Sequence, residues 1–159
     1  MTQPEPEFDP VRVLVRFADA EIDFVVIGCV AGAVHGSAYT TDDIDLAYSC
    51  APQNLSRLAK TLRGMGATPS AERLARDDHL AFVTELGNVD VLARPAGAPA
   101  YEKLRSEATT IAVEGRTVRI ASLDRLIAMA ESMGRTKDKL LAAEYRTIAD
   151  LLRATGEGD

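Results

Sequence analysis

Two carboxylates, Asp43 and Asp45, lie two residues apart in the run Thr41-Asp42-Asp43-Ile44-Asp45-Leu46, where a polar turn gives way to apolar, strand-like sequence. Alternate side chains of a strand share a face, so the pair projects side by side. At neutral pH the two charges repel unless a cation lies between them. Hard oxygen ligands at the end of a rigid strand suit a divalent ion, Mg2+ or Mn2+. The spacing therefore predicts a metal site.

The elements that must position this pair lie just upstream. Asp23-Phe24-Val25-Val26-Ile27 is an apolar run, followed by Gly28-Cys29 and then Val30-Ala31-Gly32-Ala33-Val34-His35-Gly36. These residues predict a buried strand, a tight glycine turn and a short helix closed by Gly36. A helix that opens at a glycine turn offers free backbone N–H groups and the positive end of its dipole, both of which favour phosphate. Phosphate and metal sites are expected to be neighbours.

The run from Ile27-Gly28-Cys29 through His35-Gly36 to Thr41-Asp42-Asp43-Ile44-Asp45 resembles the signature of the polymerase-beta-like nucleotidyltransferase superfamily, a glycine turn followed by a D-x-D pair. Within it, the chain is most similar to the small bacterial proteins related to the AbiEii/MenT-type toxin nucleotidyltransferases. Residues 121–129 and Gly134-Arg135-Thr136-Lys137-Asp138 carry a likeness to their later segment, so the resemblance spans roughly residues 22–150. It implies a third carboxylate on a later strand, and Asp90 in Gly87-Asn88-Val89-Asp90-Val91-Leu92 matches it. The flanking apolar residues predict a strand with Asp90 on its polar face.

The implied chemistry is a two-metal phosphoryl transfer from an NTP to an acceptor hydroxyl. Asp43 and Asp45 would hold the ions that bind the triphosphate, and Asp90 would help hold the second and orient or activate the acceptor. Gly28, Cys29, Thr41, Arg135 and Lys137 form the expected nucleotide-binding set. Thr41 serves first to fix the turn before Asp43 through its hydroxyl, and Arg135 and Lys137 divide between triphosphate contact and a solvated helix start. The resemblance also implies an RNA end such as tRNA, or a protein, as acceptor. It further implies a toxin's role in a toxin–antitoxin or phage-defence pair, with a cognate antitoxin as partner.

Three positions depart from the family pattern. Cys29 replaces glycine or serine, which removes a hydroxyl contact but keeps the backbone N–H. Tyr39 replaces an arginine that could bind phosphate, and Ala130 stands where relatives often carry lysine. They motivate two alternative readings: a nucleotide-binding or interaction module that has lost transfer, and a small-molecule nucleotidyltransferase acting on an aminoglycoside-like hydroxyl.

Composition sets outer limits. A chain of 159 residues, 47% apolar and 26% charged, is expected to form one domain over residues 1–159 with a sizeable core and, at residues 1–9, a flexible acidic and proline-bearing tail. Two cysteines, Cys29 and Cys50, lack metal-ligand spacing and are expected as reduced thiols, with the cytoplasm as compartment. No apolar stretch approaches the ~20 residues that cross a bilayer, so no membrane partner is expected. A formal charge of −6 argues against a surface that coats nucleic acid in general.

The remaining spacing predicts an α/β fold of the polymerase-beta-like kind: a mixed sheet flanked by helices, with a C-terminal helical pair. Apolar residues at helical intervals mark residues 10–20 and 52–65. Strands are predicted at 80–84 and 89–92 across a turn at Glu85-Leu86-Gly87-Asn88, and a short helix at Tyr101–Glu107. A hairpin follows across Glu114-Gly115. Ser122 is predicted to cap a helix ended by Gly134, and Thr136 to cap the last one. His35 reads as a packing or capping residue, and His79, Asp77 and Asp78 as a solvated loop.

Overall fold

Alternating helical and strand-like apolar spacing gives, in chain order, α1 (Pro10–Asp19), β1 (Phe24–Ile27), α2 (Gly28–Val34), β2 (Asp43–Tyr48), α3 (Pro52–Gly64), α4 (Ala71–Arg76) and β3 (His79–Thr84). Then come β4 (Gly87–Leu92), α5 (Tyr101–Glu107), β5 (Thr109–Val113), β6 (Arg116–Ile120), α6 (Leu123–Met133) and α7 (Thr136–Thr155). The structure is a computed structural model, and it describes residues 6–156.

One six-stranded sheet runs β3-β4-β2-β1-β6-β5. It is mixed: β1 pairs antiparallel with β2 but parallel with β6, β2 and β4 are parallel, and both hairpins are antiparallel. All four residues of β1 are buried, as expected for an inner strand covered on both faces. β2 alternates at its start, with Ile44 and Leu46 fully buried and Asp43 and Asp45 on the opposite, partly open face.

The helices attach through apolar stripes. Pro10 opens α1, the Asp9 carboxylate accepts from the Arg12 N–H at 3.1 Å, and the buried face carries Val13, Leu14 and Phe17. The Phe17 ring meets Phe24 of β1 edge to face at 5.5 Å. Residues 1–5 of the expected tail lie outside the described residues. At its other end Phe8 packs on the core and the Asp9 N–H donates to the Leu86 carbonyl at 3.0 Å, so these two positions are attached.

Gly134 ends α6 in the left-handed region (φ +72°), a conformation glycine adopts without a Cβ penalty. The chain then turns into α7, which buries Leu141, Ala142, Tyr145 and Ala149. Thr136 is not the cap expected of it. Arg135 occupies that position in extended conformation without a side-chain cap bond, and Thr136 is the first helical residue. The cause is Asp138 in the first turn, whose buried carboxylate draws the Arg135 guanidinium to 2.7 Å. The short α4, capped by Ser70, was not expected because its six residues bury only Leu74. Among the described residues no helix is long and apolar enough to cross a membrane.

Candidate active site

The strand register assembles the acidic cluster. Asp45 lies directly opposite Asp90 in the parallel β2–β4 pair, and Asp43 is two residues along the same face of β2. One oxygen from each of Asp43, Asp45 and Asp90 falls within a 4.8 Å sphere of mutual distances. Three side chains from two strands thus converge where sequence reasoning expected them.

On the other side of β2, Ile27 is the register partner of Asp45, so the chain leaving β1 passes beside that carboxylate. Gly28 makes this passage possible twice over. Its φ of +69° disfavours any side chain, and a Cβ there would overlap the Asp45 carboxylate, 3.0 Å from Cγ. Ile27 provides no side-chain cap, so the first N–H groups of α2 have no side-chain acceptor at the cap. Glycine turn and acidic cluster share one wall.

Each carboxylate has a different environment. The Thr41 hydroxyl donates to Asp43 Oδ1 at 2.8 Å and accepts from the Asp43 N–H at 3.3 Å, which fixes the turn as expected. The His79 Nε2–H donates to Asp90 Oδ2 at 2.9 Å. Asp45 takes no such side-chain bond among the described residues. Burial, reinforced by the negative charges of Asp43 and Asp90, pushes its carboxyl up to about 7. Burial likewise raises the Cys29 thiol, against the opposing pull of Lys137. Cys29 and Cys50 are free thiols, Cys50 exposed.

A cleft of about 1120 Å³ opens over this cluster, and every residue named from sequence lines it: Gly28, Cys29, Thr41, Asp43, Asp45, Asp90, Arg135 and Lys137. The C-terminal helices line it too, α6 with the apolar Leu126, Met129, Ala130 and Met133. The two basic residues differ. Arg135 is held by Asp138, whereas the Lys137 ammonium sits 5.3 Å from the centre of the Tyr39 ring, within cation–π range. Tyr39, at the position where the resemblance expects arginine, thus braces a lysine supplied by α7.

The three residues expected in a solvated loop make surface contacts as well, with the side chains of Asp78 and His79 still 71% and 51% exposed. Asp77 accepts from Arg73 and Arg76, and Asp78 pairs with Arg94, whose guanidinium also reaches the Arg76 carbonyl at 2.6 Å. His79 turns into the cleft because the β3–β4 hairpin is tighter than expected. Thr84 faces Gly87 across a two-residue turn, which sets Ala81 opposite Asp90 and leaves His79 as its diagonal neighbour. Glu85-Leu86 holds neither glycine nor asparagine, so the sequence carried no two-residue turn signal that would have set this register. His35 is structural, its Nε2 meeting the Ala121 carbonyl at 2.8 Å.

The donor set fits a divalent cation. Three carboxylates converge, and burial together with the charges of Asp43 and Asp90 pushes the Asp45 carboxyl up to about 7, a strain that a bound cation would relieve.

No protein-family model matches the chain, and no curated protein matches it in sequence. Solved structures do. The antibiotic-resistance factor ANT(2'')-Ia superposes with a TM-score of 0.52 at 16% identity, covering 94% of this chain and 98% of that one. A Thermotoga maritima protein assigned as a nucleotidyltransferase gives 0.57 at 13% identity over 89% of this chain and 96% of its own. An antigenic nucleotidyltransferase-like protein from Paracoccidioides brasiliensis gives 0.55 at 16% identity over 89% and 73%. The fold is that of the nucleotidyltransferases. In this fold the acidic cluster and glycine turn described above face one cleft, which α6 lines with apolar residues and α7 with Lys137 and Asp138 among others.

Proposed function

We propose that the chain transfers a nucleoside monophosphate from an NTP to an acceptor hydroxyl with release of pyrophosphate. The observation that carries this reading is the convergence of Asp43, Asp45 and Asp90 within 4.8 Å beside the Gly28 turn, in a nucleotidyltransferase fold. Asp43, Asp45 and Asp90 would hold divalent ions, Mg2+ or Mn2+. Such ions, when bound, offset triphosphate charge and favour in-line displacement at the α-phosphorus.

The chain's own residues do the rest. Backbone N–H groups after Gly28 and the Lys137 ammonium bind triphosphate oxygens. Leu126, Met129 and Met133 exclude water where α6 lines the cleft. Asp90 accepts the proton of the acceptor hydroxyl as its oxygen bonds to the α-phosphorus, and the bond to the β-phosphate bridging oxygen breaks.

For the acceptor, the first reading is an RNA end such as tRNA, or a protein, with the chain acting as the toxin of a toxin–antitoxin or phage-defence pair. A small hydroxyl-bearing molecule is the second. It is favoured by the likeness to an antibiotic-resistance factor over nearly the whole of both chains. It is favoured also by a cleft whose two arginines, Arg94 and Arg135, are already paired with Asp78 and Asp138. RNA binding draws on free cations.

Incubation with each α-labelled NTP, Mg2+ and tRNA, protein or aminoglycoside-like acceptors tests the reading. Wild type should label one acceptor class and Asp43→Ala none. Equal labelling by both would remove support for an enzyme. Mg-NTP binding by calorimetry without turnover would instead support a binding module.

A further inference from the structure

The structure assigns His79 a task at Asp90: we propose that it is a positioning residue that fixes the Asp90 carboxylate for cation binding. The inference rests on the proposed nucleotidyl-transfer reading and names a residue that reading does not use. His79 begins β3, and its Nε2–H donates to Asp90 Oδ2 at 2.9 Å. Its side chain is half exposed while that of Asp90 is only 17% exposed, so the ring covers the carboxylate from the solvent side.

Two features make the contact specific. The residue directly opposite Asp90 on β3 is Ala81, small enough to leave the diagonal open for the His79 ring. The turn into β3 is also pinned. The Ala93 N–H donates to the Asp78 carbonyl at 2.9 Å, and Arg94 grips both Asp78 and the Arg76 carbonyl. The histidine is therefore delivered from a clamped loop onto one oxygen of Asp90.

A carboxylate whose first oxygen is occupied by a donor has its plane fixed and its second oxygen left for a ligand. Asp43 has an equivalent partner in Thr41, so two of the three carboxylates are held by side-chain donors before any cation arrives. Outer hydrogen bonds of this kind orient a metal ligand, and losing one typically costs about ten- to a hundredfold in affinity or activity.

The test is Mn2+ titration of the full chain, followed by electron paramagnetic resonance of free Mn2+, with wild type, His79→Ala, His79→Gln, Asp90→Asn and the double variant His79→Ala/Asp90→Asn. Thermal unfolding checks that each is folded. His79→Ala should bind Mn2+ about tenfold more weakly. His79→Gln places an uncharged N–H donor at a similar reach and should recover most of that loss. The double variant should bind no more weakly than Asp90→Asn, because His79 acts through Asp90. Wild-type affinity in His79→Ala, no recovery in His79→Gln, or losses that multiply in the double variant would each overturn the assignment while leaving the transfer reading intact. Absence of Mn2+ binding by wild type would overturn both.

Discussion

Two aspartates line the same cleft in opposite electrostatic states. Asp138, buried in the first turn of α7, receives the Arg135 guanidinium at 2.7 Å, and that hydrogen bond holds its carboxyl below the usual range. Asp45, on β2, is also largely buried but faces Asp43 and Asp90, and its carboxyl is pushed up to about 7. The fold supplies a cation three residues away where the charge only has to be held. At Asp45 burial and two neighbouring carboxylates outweigh the pull of His79 and Lys137. An unpaired buried carboxylate is costly, and that cost is recovered only when positive charge arrives from outside.

Replacing Asp45 should break the contrast most visibly. Asp45→Asn removes a cation ligand, and a loss of several kcal/mol of charge stabilisation corresponds to a transfer rate reduced by about a thousandfold. The same variant, metal-free at pH 8, should unfold at a higher temperature than wild type, because the uncompensated charge is gone. Asp138→Asn should do neither: transfer should persist and the melting temperature should fall. Parallel rate and melting measurements on the two variants decide the matter. Asp45→Asn with wild-type turnover would end the comparison.

The two carboxyls also predict opposite pH slopes for the metal-free protein. The folded value of Asp45 lies above its ordinary 3.8, so between about 4 and 7 the native state binds the proton that the unfolded chain has lost. Stability then falls as pH rises through that window, by up to ~4 kcal/mol or about 10 °C in melting temperature. Asp138 is depressed, so its contribution is present above about 4 and lost on acidification below it. Melting curves from pH 4 to 8, with and without Mg2+, should show a neutral-side decline that Mg2+ reverses and Asp45→Asn abolishes. A decline that survives in Asp45→Asn has another source.

The difference between these regions was legible in the sequence to unequal degrees. The spacing of Asp43 and Asp45 and the glycine turn before them are local features, and strand periodicity alone aligned them. Asp90 needed the family likeness, because its approach to Asp45 depends on β4 pairing parallel with β2, a contact made across 45 residues. His79 escaped notice for want of one turn length: strands at 80–84 and 89–92 across a four-residue turn would set Val83, not Ala81, against Asp90. Arg135 could be placed at the cleft but not paired, since a three-residue separation allows a contact with Asp138 without requiring it. α4 was invisible because one buried leucine carries no periodicity.

Gly28 joins strand and cluster, and its replacement sharpens the role of close approach. Gly28→Ala forces a left-handed backbone on alanine, costing about 1–2 kcal/mol, and sets a methyl group against the Asp45 carboxylate. Urea unfolding should register that loss, and Mg2+ affinity should fall with it as Asp45 is displaced. Gly134→Ala provides the control, because a Cβ there meets nothing within 4 Å at a nearly equal φ of +72°. If both variants lose stability but only Gly28→Ala loses Mg2+, the contact with Asp45 and not the backbone alone is responsible.

The smallest effect separates the two cations of α7 and its entry turn. Lys137 and Arg135 both line the cleft, yet only Lys137 is uncommitted to a carboxylate, its ammonium resting over the Tyr39 ring. A hydrogen bond to a charged group contributes about 1.5–3 kcal/mol, and the exposure of Lys137 places its share at the lower end. Lys137→Ala should therefore raise the Kd for Mg-NTP about tenfold, an effect that shrinks with added salt. Arg135→Ala should change it much less, because removing that guanidinium chiefly frees Asp138, and the melting temperature should register it instead. Calorimetric titration of both variants at two salt concentrations compares them directly. An Arg135→Ala loss as large as that of Lys137→Ala would mean that nucleotide draws the arginine away from Asp138, and the paired aspartate would then belong to the same switchable charge system as the unpaired one.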